Sequence, residues 1–330
     1  MKSSIVIPTY NCEDFIEENL SHLVKNIQDV VDIIIVDDGS TDYTVSVVQN
    51  FIYKTEGNYI QLIENEHKNP ASARNAGWKE TKGDVVIFLD SDCKVTKKWY
   101  EEMLAPFKEK NIVAVSGVYL SNQKKLIARY IQQQTGYRQS KTEKYTDNLA
   151  TYSLAVKKEF LKKVDGFPED YPSASCEDTE FSYKLRKYGK FVLNRKAKVI
   201  HHHEENIMKY FKKQFNHAKY RVLMLKRKNP VGDKYAGVDI LVQPFLAFVS
   251  LLFPFNNFFL FFFGSILVLQ IMELEGSLDE FSFFLFSMII GTIRAYVWLF
   301  GMIFGVLKFY VFKNKRIPSR KEDSYLLGKE

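Results

Sequence analysis

From Ser3 to about Val115, short β-branched runs alternate with segments whose apolar residues recur every three or four positions. Ser4–Ile7, Ile33–Val36, Tyr59–Ile63 and Val85–Leu89 read as strands. Between them, Cys12–Ile27 reads as a helix with Phe15, Ile16, Leu20, Leu23 and Val24 on one face. Thr41–Phe51 follows as a helix capped by Ser40 or Thr41, and Ala71–Thr81 as a third. Strands alternating with helices predict a parallel sheet covered on both faces, the α/β class. Beyond it, Ile112–Tyr119, Thr151–Val156 and Lys190–Ile200 read as strands, and Lys158–Val164 and Glu177–Tyr188 as helices, the latter stopped by Gly189. Gly166 to Ser175 reads as a loop.

After residue 207 the pattern changes. Met208–Lys228 predicts a basic amphipathic helix with Met208, Phe211, Phe215, Val222 and Leu225 along one face, suited either to a membrane surface or to packing on the domain. Two apolar blocks follow, Ile240–Met272 and Phe281–Phe312, separated by the acidic stretch Glu273–Glu280. A bilayer-spanning helix needs about 20 apolar residues, so two crossings are expected. Pro254 to Asn257 offers a break within the first block, Arg294 interrupts the second, and Gly301 and Gly305 offer a small-residue packing seam.

Charge and cysteine usage narrow the partners. The net charge of +7 lies largely between Lys209 and Lys234 and between Lys308 and Lys321, flanking the apolar blocks. That location favours anionic lipid over nucleic acid, for which no motif is present, and by the positive-inside rule it puts both chain ends in the cytosol. The three cysteines, Cys12, Cys93 and Cys176, show no paired spacing and read as packing residues of a reduced compartment. The start of the chain passes straight into Ile5–Val6–Ile7, too short an apolar run for a signal peptide.

In parallel α/β sheets ligands bind beyond the carboxyl ends of the strands. Three polar clusters fall there: Pro8-Thr9-Tyr10-Asn11, Asp37-Asp38-Gly39-Ser40 and Asp90-Ser91-Asp92. Carboxylate oxygens are hard ligands for Mg²⁺ or Mn²⁺, and such an ion is commonly shared between one or two carboxylates and a substrate phosphate. Asp90 and Asp92 are therefore candidate metal ligands.

With Ala73-Arg74-Asn75-Ala76-Gly77 between the second and third of these clusters, the order and spacing of the four motifs resemble those of the family-2 glycosyltransferases over about residues 3 to 225. The resemblance implies a GT-A fold, a Rossmann-like and mostly parallel mixed sheet flanked by helices, followed here by membrane helices. It also implies a nucleotide-sugar donor, with a UDP-sugar the first expectation, and inversion at the anomeric carbon. Carried onto this chain, Pro8, Thr9, Tyr10, Asp37 and Asp38 bind the nucleoside, Asp38 reading the base. Arg74 and Ser91 contact the rest of the donor, and Asp178 is the general base with Glu177 beside it, ahead of Phe181 to Gly189. His201, two residues after Val199, joins Asp90 and Asp92 at the metal. Each element has a plainer reading: a turn and helix cap for Asp37 to Thr41, a first-turn acidic pair for Glu177-Asp178, a solvated strand end for His201 to His203.

The division expected is a catalytic domain over residues 1–207, an interfacial helix and linker over 208–236, membrane helices over 237–313 and a basic cytosolic tail over 314–330. The protein is expected in the cell membrane, multi-pass, its catalytic domain cytosolic and its acceptor a lipid-linked or other glycan. The alternatives are a polyprenyl-phosphate sugar synthase, against which the Glu177-Asp178 pair speaks, and a non-catalytic module that binds sugar nucleotides. A processive synthase is disfavoured by the lack of a QxxRW motif.

Overall fold

The computed structural model describes residues 1–55, 59–227, 239–252, 257–273 and 280–312. In chain order the elements are β1 (Ser3–Thr9), α1 (Ile16–Asn26), β2 (Val30–Asp37), α2 (Thr44–Thr55), β3 (Ile60–Glu64), α3 (Pro70–Glu80), β4 (Val85–Leu89), β5 (Cys93–Val95), α4 (Trp99–Leu104) and β6 (Ile112–Leu120). They continue with α5 (Leu126–Lys141), β7 (Tyr145–Thr146), β8 (Ser153–Lys157), α6 (Lys158–Val164), α7 (Glu177–Leu185), β9 (Lys190–His201), α8 (Ile207–Lys226), α9 (Asp239–Leu252), α10 (Asn257–Glu273) and α11 (Phe281–Val306). The strands form one sheet in the order β3-β2-β1-β4-β8-β6-β9-β5, with β7 on β9. Neighbours from β3 to β4 are parallel, whereas β8 runs antiparallel to both β4 and β6. This is the α/β, GT-A-like architecture expected.

The apolar runs of β1, β2 and β4 are continuous because each strand is covered twice. Ile5, Ile7, Ile33, Ile35, Ile87 and Leu89 face α1 and α4, packing with Ile16, Leu20, Leu23 and Trp99. The alternate residues Val6, Ile34, Val36, Val86 and Phe88 face α3 and α7, with Ala73, Trp78, Phe181 and Leu185. Gly77 permits the close approach of α3, since a Cβ there would come within 2.4 Å of Val6 Cγ1. Burying these side chains at about 1.5–3 kcal/mol each fixes the strand ends that carry the polar clusters.

The C-terminal region departs from expectation. The first apolar block is two helices, α9 with 14 residues and α10 with 17, packed on one another. At 1.5 Å per residue each falls short of a hydrocarbon core about 30 Å thick. Among the described residues, only the segment Phe281–Val311 is long and apolar enough to cross a membrane. The expectation of two crossings is therefore corrected to one such helix. Pro254 to Asn256, the acidic stretch 274–279, most of the linker (228–236) and the tail 314–330 lie outside the described residues.

The expected apolar face of α8 is corrected in part. Met208 is 74% exposed, while Tyr210, Ala218, Tyr220, Val222, Leu223 and Met224 are buried. The reason is the seam with α11: a Cβ on Gly301 would meet the Phe215 carbonyl at 2.7 Å, and one on Gly305 the Lys219 carbonyl at 2.6 Å. Small residues thus let the two helices touch. Arg294, inside the apolar run, is buried and donates to Gln134 on α5 and to Gln243 on α9, the latter at 2.8 Å.

Candidate active site

The first two polar clusters form one interlocked turn. Thr9 Oγ1 donates to the Val36 carbonyl at 3.3 Å, and Asp37, buried, accepts from the Ser40 amide at 2.8 Å and from its hydroxyl at 2.5 Å. Gly39 has φ +74°, and a Cβ there would lie 2.8 Å from the His67 nitrogen, so the turn requires glycine. Asn11, itself at φ 46°, accepts from the Thr41 amide at 2.8 Å. Asp38 is buried, accepting from the Lys68 amide at 3.1 Å and pairing through Oδ2 with His67 Nδ1 at 3.0 Å. Tyr10 projects outward and stacks on His67, ring centroids 4.3 Å apart. Pro8 lies in β1 opposite Val36. His67 escaped the sequence reading, although its position just past β3 is the same strand-end signal that marked the other clusters.

The Asp90–Asp92 triplet is a tight turn, closed by the Cys93 amide on the Asp90 carbonyl at 3.0 Å and anchored by the Asp90 amide on Tyr152. Ser91 offers its carbonyl to Asn19 of α1 at 2.7 Å. The chain then enters β5, a strand the sequence did not reveal, whose antiparallel pairing sets Cys93 opposite His201 of β9. That pairing brings Asp92 Oδ2 to 3.4 Å from His201 Nε2 and lets the His202 amide donate to the Asp92 carbonyl. Burial, then the Asp90 charge, raise the Asp92 pKa against the opposing pull of His201.

Two ligand atoms about 2.1 Å from one ion lie about 3 to 4 Å apart, so the Asp92–His201 spacing fits a divalent ion such as Mg²⁺ or Mn²⁺. The Cys93 sulfur lies with them, the three ligand atoms all within 4.8 Å of one another. Burial, followed by Asp92 and Asp90, raises its pKa well above the usual thiol value, which leaves it a neutral, soft group unsuited to a hard cation.

Arg74, the expected donor contact, is held between two acids. Only 3% exposed, its guanidinium donates to Asp90 Oδ1 at 2.7 Å and lies 3.6 Å from Glu177 Oε1, with the Phe167 ring beneath it. Burial alone lowers an arginine pKa, but Asp90, Glu177 and Asp178 together outweigh it and raise this one. Arg74 therefore ties the acidic triplet to the start of α7. Its neighbour Asn75 fastens α3 to the 166–169 loop, donating to the Phe167 carbonyl at 2.8 Å and accepting from the Phe167 amide at 2.9 Å.

Glu177 is buried, accepts from the Ser175 amide at 2.7 Å, and has its pKa raised by burial against the pull of Arg74. Asp178, half-buried beside it, accepts from the Thr179 amide at 2.7 Å. Burial first, and the Glu177 charge second, push Asp178 up to about 7. A carboxyl poised there can exchange a proton near neutral pH. Arg221, on α8, is buried near it, and its Nε has no hydrogen-bond partner among the described residues.

His203 is buried, with its pKa pushed down to about 3 by burial and then by His201 and His202. Gln123 fixes this stretch, accepting from the His203 amide at 2.6 Å and donating to the His203 carbonyl at 3.1 Å. The structure thus joins Asp90, Arg74 and Glu177 by direct contact, with Asp178 next in chain, and pairs Asp92 with His201, the two sets meeting at the Asp90–Asp92 turn. It gathers Thr9, Tyr10, Asp37 and Asp38 as a second group one strand away.

Residues 4–164 match the sequence profile of Glycosyl transferase family 2. That segment, just under half of the chain, is similar to the family-2 glycosyltransferases. It is 32% identical over 193 residues to the poly(ribitol-phosphate) beta-N-acetylglucosaminyltransferase TarS of Staphylococcus aureus, covering 56% of this chain and 32% of TarS. It is 26% identical over 287 residues to the probable glycosyltransferase YdaM of Bacillus subtilis, covering 81% of this chain and 64% of YdaM. The chain thus spans a third to two thirds of the length of these relatives. Among solved structures, the mannosyltransferase PcManGT from Pyrobaculum calidifontis, in complex with GDP-Man and Mn²⁺, superposes with a TM-score of 0.61 at 18% identity, covering 89% of this chain and 86% of that one. The fold is thereby common ground with PcManGT.

Proposed function

We propose that this chain is a membrane-attached, metal-dependent inverting glycosyltransferase that moves a sugar from a nucleoside-diphosphate sugar to a hydroxyl, on a lipid-linked or other glycan. One observation carries the reading: buried Arg74 bridges Asp90 of the acidic triplet and Glu177 beside Asp178, so donor-leaving-group and proton-accepting groups share one rigid cluster. Asp178 takes the acceptor proton, that oxygen bonds to the anomeric carbon, and the carbon–oxygen bond to the diphosphate breaks with its electron pair leaving on the diphosphate. Asp90, Asp92 and His201 are the residues to hold a divalent ion, which when bound supplies positive charge against the leaving diphosphate. Tyr10 and His67 offer a stacked face to the base. Asp38, with one oxygen on Lys68 and the other on His67, suits the single imide N–H of uracil.

Membrane attachment is proposed through the exposed face of α11, where Phe281, Leu285, Ile289, Ile293, Phe300 and Phe304 lie open. The opposite face lies on α8, which carries Lys209, Lys212, Lys213, Lys219 and Lys226, and mid-helix Arg294 bonds to the catalytic domain. Placing such lysines at the centre of a bilayer costs about 2.5–3.5 kcal/mol each, so α11 is read as lying in the interface rather than crossing.

The test is release of nucleoside diphosphate from a panel of nucleotide sugars by the purified full chain. Hydrolysis that requires Mn²⁺ or Mg²⁺ and disappears in Asp92→Ala is expected. Failure to bind or turn over any nucleotide sugar with metal present refutes the reading.

A further inference from the structure

We infer that Gln132 and His203 are positioning residues that set the tautomer of His201 and so aim a bare nitrogen at Asp92; the inference rests on the metal reading of that site. Gln132 sits on α5, and its amide nitrogen points at the Tyr119 carbonyl, 3.5 Å away. Its oxygen then faces His203 Nε2 at 3.0 Å. A carbonyl oxygen only accepts, so His203 Nε2 carries the hydrogen.

The His203 ring is buried, and its nitrogens meet Gln132 on one side and His201 on the other, with no carboxylate contact among the described residues. A neutral imidazole has one N–H, so His203 Nδ1 holds a lone pair. His201 Nδ1, 3.0 Å from it, must donate. A neutral His201 therefore bears its lone pair on Nε2, the nitrogen 3.4 Å from Asp92 Oδ2. Two acceptors held face to face at that distance repel unless a proton or a metal cation lies between them. Tyr119 fixes the plane of the ring by stacking on His201, centroids 4.9 Å apart, and Gln123 pins the backbone of His203. The chain Gln132–His203–His201 is a hydrogen-bonded outer shell of the kind that orients a metal-binding imidazole and fixes its tautomer.

Histidine-labelled full chain, free of metal, gives the direct readout through the ¹⁵N chemical shifts of the imidazole nitrogens. The expected result is a protonated Nδ1 and a bare Nε2 at His201. A protonated Nε2 with bare Nδ1 in the unmodified protein overturns the inference. Mn²⁺ binding, followed by the electron paramagnetic resonance of the free ion, provides the second arm. Gln132→Met removes the acceptor at similar volume, and a loss of Mn²⁺ affinity of about tenfold or more is expected. His203→Asn keeps an oxygen facing His201 and should retain most of the affinity. If Asp92→Ala and His201→Ala weaken Mn²⁺ binding while Gln132→Met does not, the relay is refuted and the metal reading stands. If Asp92→Ala binds Mn²⁺ as the unmodified chain does, the metal reading fails and the relay with it.

Discussion

The acids in the parallel half of the sheet and those around its mixed half are held in opposite ways. At the ends of β1 and β2, Asp37 is met by Ser40, and Asp38 by Lys68 and His67, so their charges are satisfied by neighbouring loops. Near β5, β9 and α7, Asp92 and Asp178 are half-buried and their pKa values rise, because burial is not fully offset by what surrounds them. Carboxylates held by neighbouring loops keep a shape and can still accept one further N–H, and those kept against their own desolvation are ready for a cation or a proton. Arg74, joining Asp90 to Glu177, couples the second kind of site into one body.

Substitutions chosen from the two halves separate these roles. The largest effect is expected at Asp178: Asp178→Asn should lower kcat by about 10³-fold with donor KM little changed, measured by steady-state transfer. A comparable loss at Asp37→Asn through kcat rather than stability would erase the distinction. Arg74→Met comes next. It leaves the buried Glu177 and the half-buried Asp90 without their cation and should cost about 3–5 kcal/mol of stability by denaturant titration, against about 1–3 kcal/mol for Asp37→Asn.

The protonation of Asp178 gives a pH signature. Since a base must be ionised, kcat/KM should fall about tenfold per unit below pH 7, and that limb should vanish in Asp178→Asn. The stability sign follows the raised pKa. With the folded value near 7 and the ordinary one near 4, the unfolded chain ionises first as pH rises. The native state is thus favoured below about pH 4 and loses that advantage up to about pH 7. Asp178→Asn should therefore melt higher than the unmodified protein at pH 8 and no higher at pH 4. The smallest effect is expected at His67→Ala, which removes the stack on Tyr10 and the partner of Asp38. Donor KM should rise about tenfold, within the range of one stacking contact, while kcat stays unchanged.

The parallel half was legible because its elements are local. Continuous β-branched runs marked β1, β2 and β4, and Asp-Gly-Ser chemistry marked the turn. The mixed half was legible only in its motifs. β5 is three residues long and exists by pairing with β9, more than a hundred residues away, and that pairing alone brings His201 to Asp92. α5 showed no apolar period, since its buried residues include Gln134, Thr135 and Gln139, so Gln132 went unseen. Arg74 read as a donor contact, and nothing in the sequence signals that two acids will close around it. The first apolar block had the composition of a span, and although Pro254 to Asn257 offered a break, the lengths of α9 and α10 became visible only in the fold.

The central claim is that Asp92 belongs to the donor and metal side and Asp178 to proton transfer. Thermal melting with a UDP-sugar and Mn²⁺ tests it most directly, since a ligand bound only by the native state raises the melting temperature. The account predicts an Mn²⁺-dependent upward shift in the unmodified protein and in Asp178→Asn, and none in Asp92→Ala. An equal shift in Asp92→Ala, or no shift with any nucleotide sugar and metal, would contradict it.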